Sequence, residues 1–198
     1  MSSRAAPAAR VDAKVVGASA AAVAAACAAL ALRDAPLAAP VRTPIGLALV
    51  YATVLAGSAA IARALPGSPG DAPRTGTAVI VPLGVGLLAL GLAHAAVPAS
   101  APVRASIAAA ALSVLAAVAE EALFRGAAFR LLERRGMVLA AAGSAVLFAL
   151  VHVPAYGWSA FPVDLGAGVL FSWQRFASGR WSVPAATHAA ANLLAVMR

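Results

Sequence analysis

ASIAAAALSVLAAVAEEALFRG, residues 105–126, decides how this chain is read. Fifteen uncharged residues, Ala105 to Ala119, run without interruption into Glu120 and Glu121, and Arg125 follows. With its continuation toward residue 132 the stretch is long enough to cross a bilayer, which takes about 20 mostly apolar residues. Carboxylates inside such a run are costly in hydrocarbon, so each is a functional candidate.

The remainder of the chain has the same character. Of its 198 residues, 63% are hydrophobic and only 11% are charged, with a mean hydropathy of +0.90. A water-soluble domain carries about a quarter charged residues, and a disordered chain combines low hydrophobicity with high net charge; neither fits. Apolar segments at 13–32, 43–64, 77–98, 104–132, 137–153, 160–174 and 181–197 are separated by polar or Pro- and Gly-containing turns at 33–36, 66–74, 98–102 and 134–136. The expected fold is an all-α, polytopic transmembrane bundle of about seven spans. The first segment follows Arg4, Arg10 and Lys14 but has no cleavage context, and is read as a retained span. Alanine and glycine dominate the spans, and small residues let helices approach closely in lipid.

The net charge of +8 does not point to nucleic acid, because the basic residues are scattered between apolar runs and form no patch with interleaved aromatics. Their distribution reads as topology. Arg4, Arg10, Lys14, Arg63, Arg74, Arg130, Arg134, Arg135, Arg175 and Arg180 fall on one side, and Arg33, Arg42, Arg104 and Arg198 on the other. Basic loops stay cytoplasmic, so a cytoplasmic N-terminus is expected, with membrane lipid as the constant partner. The 59 alanines, and arginine in 14 of 15 basic positions, suggest a high-GC bacterial coding sequence and a bacterial cytoplasmic membrane. A single cysteine, Cys27, excludes a disulfide framework and a Cys-based zinc cluster and reads as a small core residue.

Polar residues in the other spans are few. His152 ends the run that begins at Met137, with Phe148 four residues before it; His188 and Asn192 are four apart in the last span; His94 stands alone in the third. On a helix, Glu121 and Arg125 share a face and can pair, while Glu120 is rotated about 100° away and stays clear of Arg125. Phe148 and His152 share a face, as do His188 and Asn192. Counting along helices from the turn at Arg134 and Arg135, Glu120 lies roughly 21 Å and His152 roughly 26 Å away; counting from Arg180, His188 and Asn192 lie roughly 12 and 18 Å away. Four polar groups from three helices thus fall within the hydrocarbon slab at depths where they can meet.

Taken singly, each has an ordinary explanation. The two glutamates can end a helix at the interface, His152 can cap a helix before Pro154, and His188 with Asn192 can be helix-packing contacts worth roughly 0.6 kcal/mol. His94 is best explained as a helix–helix hydrogen-bonding residue. Together the coincidences of spacing and depth point to a site. A carboxylate in apolar surroundings is a competent general base near neutrality, so Glu120 helped by His152 can deprotonate a water. His188 and Asn192 can donate to an oxyanion. No Gly-x-Ser-x-Gly elbow or Ser-His-Asp order supplies a serine nucleophile. Zinc held by Glu120, Glu121, His152 and His188 is the alternative, although no His-Glu-x-x-His helix is present.

The motif Glu120-Glu121-Ala-Leu-Phe-Arg125-Gly126 resembles the first motif of the CPBP family of intramembrane proteases, also called the ABI or type II CAAX prenyl protease family. Phe148-Ala-Leu-Val-His152 resembles its second, Phe-x-x-x-His, and His188-Ala-Ala-Ala-Asn192 its third, His-x-x-x-Asn; residues 168–173 and 178–184 are similar to the usual lead-in. The resemblance divides the chain into N-terminal transmembrane helices, 1–103, and a catalytic helical core, 104–198. It implies a glutamate-type intramembrane endopeptidase acting on a membrane-associated protein or peptide without a metal cofactor. Glu120 and His152 would activate water, His188 and Asn192 would form the oxyanion hole, and Glu121, Arg125 and Phe148 would support them. The rival readings are a non-catalytic membrane scaffold or bacteriocin-immunity-type protein of the same fold, and a small transporter, for which the paired broken helices of two similar halves are missing.

Overall fold

The computed structural model describes residues 11–33, 38–39, 42–65, 74–96 and 106–197. Ser106 opens the central helix: its hydroxyl accepts from the Ala109 amide at 3.1 Å, satisfying a donor that the first turn leaves orphaned. From there α4 runs from Ile107 to Glu133. Its middle, Ala122–Ala128, is wound as a π-helix, in which Phe129 N–H reaches back five residues to the Phe124 carbonyl. Such turns recur at functional sites. Side chains from Ala119 to Phe129 are all buried, which makes α4 the axis of the bundle.

Six helices surround it: α1 (Ala13–Leu32), α2 (Pro44–Ala64), α3 (Thr77–Ala96), α5 (Met137–Tyr156), α6 (Phe161–Ser178) and α7 (Ser182–Val196). Thr43 caps α2, with Pro44 at its first position, where the missing N–H costs nothing. Gly136, at φ 124°, turns the chain from α4 into α5; Gly157 (φ 77°) and Gly179 (φ 66°) end α5 and α6 in conformations that disfavour a Cβ. On α4 pack α2 and α7, α5 and α1 pack along its π-helical part, and α3 lies outside against α6 and α7.

Each expected segment is a helix, and the described residues contain no strand. Five of the seven, α1 to α5, are long and apolar enough to cross a membrane. Helix α6 carries Asp164 and Arg175, and α7 has only 15 residues. Helix α5 runs past the expected end at 153 to Tyr156, because Pro154 forfeits one backbone bond without stopping the helix and the positive φ of Gly157 does stop it. The linkers at 34–36, 66–73 and 98–102, with Arg4, Arg10, Arg104 and Arg198, lie outside the described residues.

Small residues set the closest approaches. A Cβ on Gly168 of α6 would stand 2.9 Å from the Ala145 carbonyl oxygen of α5, and one on Gly86 of α3 would collide with Gln174 Nε2. Gln174 in turn donates to the Pro82 carbonyl and to Thr187 Oγ1, tying α3 to α6 and α7. At one end of the bundle Arg180 Nε donates to the Arg74 carbonyl, Arg74 Nη1 to the Ala177 carbonyl, and Arg130 Nη1 to the Ala62 carbonyl. The site lies toward the other end.

Candidate active site

Glu120, on the last α-helical turn of α4 before the π segment, points into a pocket of about 280 Å³. The pocket is also lined by His152 of α5 and by His188 and Asn192 of α7, so all four residues singled out in the sequence converge. The walls come from Leu112, Ser113 and Ala116 of α4 and from Tyr156 of α5, which is 61% exposed at the rim.

Two separate carboxylate–imidazole pairs make up the centre. Glu120 Oε2 stands 3.5 Å from His152 Nε2, and His152 Nδ1 donates to the Phe148 carbonyl at 2.8 Å. That backbone bond assigns the Nδ1 proton and turns Nε2 toward Glu120. At 3.5 Å the imidazole and carboxylate are beyond a good hydrogen bond, so both can engage a water beside them. In the second pair, His188 Nδ1 lies 3.0 Å from Glu121 Oε1, which also accepts from Arg125 Nη1 at 3.0 Å. The nitrogen of His188 that Glu121 does not hold is Nε2.

Glu121 and Arg125 are both fully buried. The guanidinium donates from Nη2 to the Gly168 carbonyl at 2.9 Å, and its carbon lies 4.7 Å from the Phe148 ring centre. Phe148 meets Phe124 and Phe171 edge-on and lies 4.6 Å from the His152 ring and 5.5 Å from that of His188. One aromatic side chain therefore braces both imidazoles. Asn192 is anchored by Nδ2 donating to the Ser113 carbonyl at 3.1 Å. The π turn takes part as well: inside it, the Arg125 carbonyl accepts from Arg175 Nε at 3.0 Å.

Residues 102–194 match the family described as Type II CAAX prenyl endopeptidase Rce1-like. This segment is similar to that family. No curated protein and no solved structure gives a significant match to the chain. The Rce1-like segment holds all three motifs, and Rce1-like proteins are a family of membrane proteases. Together with the five apolar helices, this makes the chain an integral membrane protein.

Two residues of the site lie outside the Rce1-like segment and carried no signal in the sequence. Arg33, which directly follows α1, is 8% exposed, and its Nη1 lies 2.9 Å from Glu120 Oε1. Tyr51 of α2 is buried beside it, with the guanidinium carbon 5.9 Å from the ring centre. Glu120 is thus clear of Arg125, as its rotation on the helix requires, but it is paired with another arginine. Tyr156, stacked on His152 with ring centres 5.8 Å apart, is a third addition, and its spacing of four from His152 was available as a signal. His94 does not line the pocket, and Cys27 is half-buried against the core. Among the described residues, no group of three or more His, Cys, Asp or Glu is placed to hold a metal ion.

Proposed function

We propose that this protein is an intramembrane endopeptidase of the glutamate type, hydrolysing a peptide bond in a membrane-associated protein or peptide. The observation that carries the reading is the convergence of Glu120, His152, His188 and Asn192, from three helices, on one pocket. Glu120 accepts a proton from a water held between its carboxylate and His152, and the hydroxide oxygen attacks the scissile carbonyl carbon. The tetrahedral oxyanion takes hydrogen bonds from the second Nδ2 proton of Asn192 and from Nε2 of His188 in its imidazolium form. Donors fixed in advance are worth about 2.7–4 kcal/mol each to such a transition state. Collapse breaks the C–N bond, and the proton on Glu120 passes to the leaving nitrogen, giving a carboxylic acid and an amine.

Supporting groups act through these four. Glu121 and Arg125 orient His188, and Phe148 sets the spacing of the two imidazoles. Glu120 with His152 and Glu121 with His188 form separate pairs, and the reading assigns no step to a metal. A cytoplasmic N-terminus in a bacterial cytoplasmic membrane completes the proposal.

The test compares new peptide termini in membranes bearing the native protein or the Glu120→Gln form, with and without a zinc chelator. Termini present only with the native protein, and indifferent to chelation, are the expected result. Loss on chelation would replace this mechanism with the zinc alternative. Identical termini from two well-expressed forms would favour the non-catalytic scaffold.

A further inference from the structure

We propose that Arg33 is a positioning residue of the active site, so that the N-terminal helices complete a centre otherwise built wholly within residues 102–194. The proposal rests on the hydrolytic reading of Glu120. An arginine that follows an apolar span reads as a topological charge facing water, yet Arg33 is 8% exposed and turned inward to meet a carboxylate 87 residues away in the chain. A guanidinium cannot be deprotonated in proteins, so burying it is costly unless it is paired; Glu120 is that pair.

The arrangement divides the work of the two carboxylate oxygens. Oε1 is held by Arg33 at 2.9 Å, and Oε2 is left facing His152 at 3.5 Å. A carboxylate that faces His152 alone can rotate about its final bond; Arg33 at Oε1 removes that freedom and keeps Oε2, the oxygen that would take the water proton, on the imidazole side. Tyr51 flanks the guanidinium from α2, and both residues line the same pocket as Glu120 and Asn192. Two helices outside the family segment therefore form one wall of the site and fix the orientation of its base.

The experiment uses the full chain and two readouts. In membranes, the rate at which Glu120-dependent termini appear is compared for native, Arg33→Gln and Arg33→Lys proteins. Arg33→Gln is expected to lower the rate about 10²-fold, the lower end of what general-base assistance supplies. Arg33→Lys keeps the charge without the planar fork and is expected to recover to within about tenfold of native. A structural staple alone would not give that order at equal folded amounts. In detergent, Arg33→Gln is expected to lower Tm by about 10 °C by stranding Glu120, and Arg33→Gln with Glu120→Gln to recover part of that loss. Tm values that add, with no recovery, would overturn the pairing. Native rates in a folded Arg33→Gln protein would overturn the positioning role alone. Absence of Glu120-dependent termini from the native chain would sink the hydrolytic reading and this proposal with it.

Discussion

Replacing Arg125 with methionine tests the buried network beneath the site. Methionine fills the volume of the arginine stem and adapts to irregular gaps, so the change isolates the guanidinium. That group is fully buried and makes two hydrogen bonds, to Glu121 Oε1 at 3.0 Å and to the Gly168 carbonyl at 2.9 Å. Stranding one member of a buried ion pair costs about 3–5 kcal/mol, and a lost hydrogen bond from a charged donor about 1.5–3 kcal/mol. The cation over Phe148 and Phe171 adds about 2 kcal/mol when desolvated. These effects share atoms and do not sum; a loss of about 5 kcal/mol is expected, or about 10–20 °C in Tm for a chain of this size. The strand that matters is Glu121, whose Oε2 has no partner among the described residues and whose Oε1 serves both Arg125 and His188. The double variant Arg125→Met with Glu121→Gln removes the stranded charge and leaves His188 an amide oxygen to bond. It should therefore lie within about 2 kcal/mol of native. Thermal or denaturant unfolding in detergent measures the native protein, both single variants and the double variant. A cost below about 1 kcal/mol for Arg125→Met, or a double variant as unstable as the two single costs added, would refute the buried-pair account.

Phe148→Ala removes a ring in contact with Phe124, Phe171 and both imidazoles, and should cost about 3–5 kcal/mol as well as hydrolysis, read by unfolding and by termini release. Gly168→Ala places a methyl 2.9 Å from the Ala145 carbonyl, prises α5 from α6 and shifts the carbonyl that holds Arg125. A loss of about 1–3 kcal/mol with reduced hydrolysis is expected. Gly86→Ala displaces Gln174 with a similar loss of about 1–3 kcal/mol, but Gly86 does not line the pocket, so hydrolysis per folded molecule should stay native. A chelator should leave the release of termini unchanged in the native protein.

Much of this arrangement was legible in the sequence because membranes penalise polar groups so strongly. Glu120, Glu121, His152, His188 and Asn192 stand out against alanine and leucine, and spacings of four predict the Glu121–Arg125 pair directly. Helix spans followed from apolar runs, but α5 and α6 run on past the expected 153 and 174 to Tyr156 and Ser178, each ended by a glycine at positive φ. What the sequence withheld has other causes. Arg33 meets Glu120, and Tyr51 meets Arg33, through tertiary packing, and an arginine at the end of a span looks the same whether it turns to water or inward. The Gly168 and Phe148 carbonyls that hold Arg125 and His152 are backbone groups, which every residue carries, so no residue type announces them. The π turn leaves Glu121 and Arg125 at a spacing that an ordinary α-helix also provides, and so is silent in the pattern.

That turn makes α4 a helix that counts. Over Ala122–Ala128 the chain carries a surplus relative to regular α-winding, taken up by wider turns, and Phe129 N–H skips the Arg125 carbonyl that an α-helix would bond. Removing one residue there, Ala127 for instance, would let the backbone relax into uninterrupted α-helix, lose no hydrophobic content and still span the bilayer. Glu120 and Arg130 would stay in phase, because the wider turns had already absorbed the extra residue, but the Arg125 carbonyl would return to the backbone ladder and release Arg175. Within this segment, then, the extra residue serves the hold of Arg175 on the Arg125 carbonyl and not the register of the helix ends.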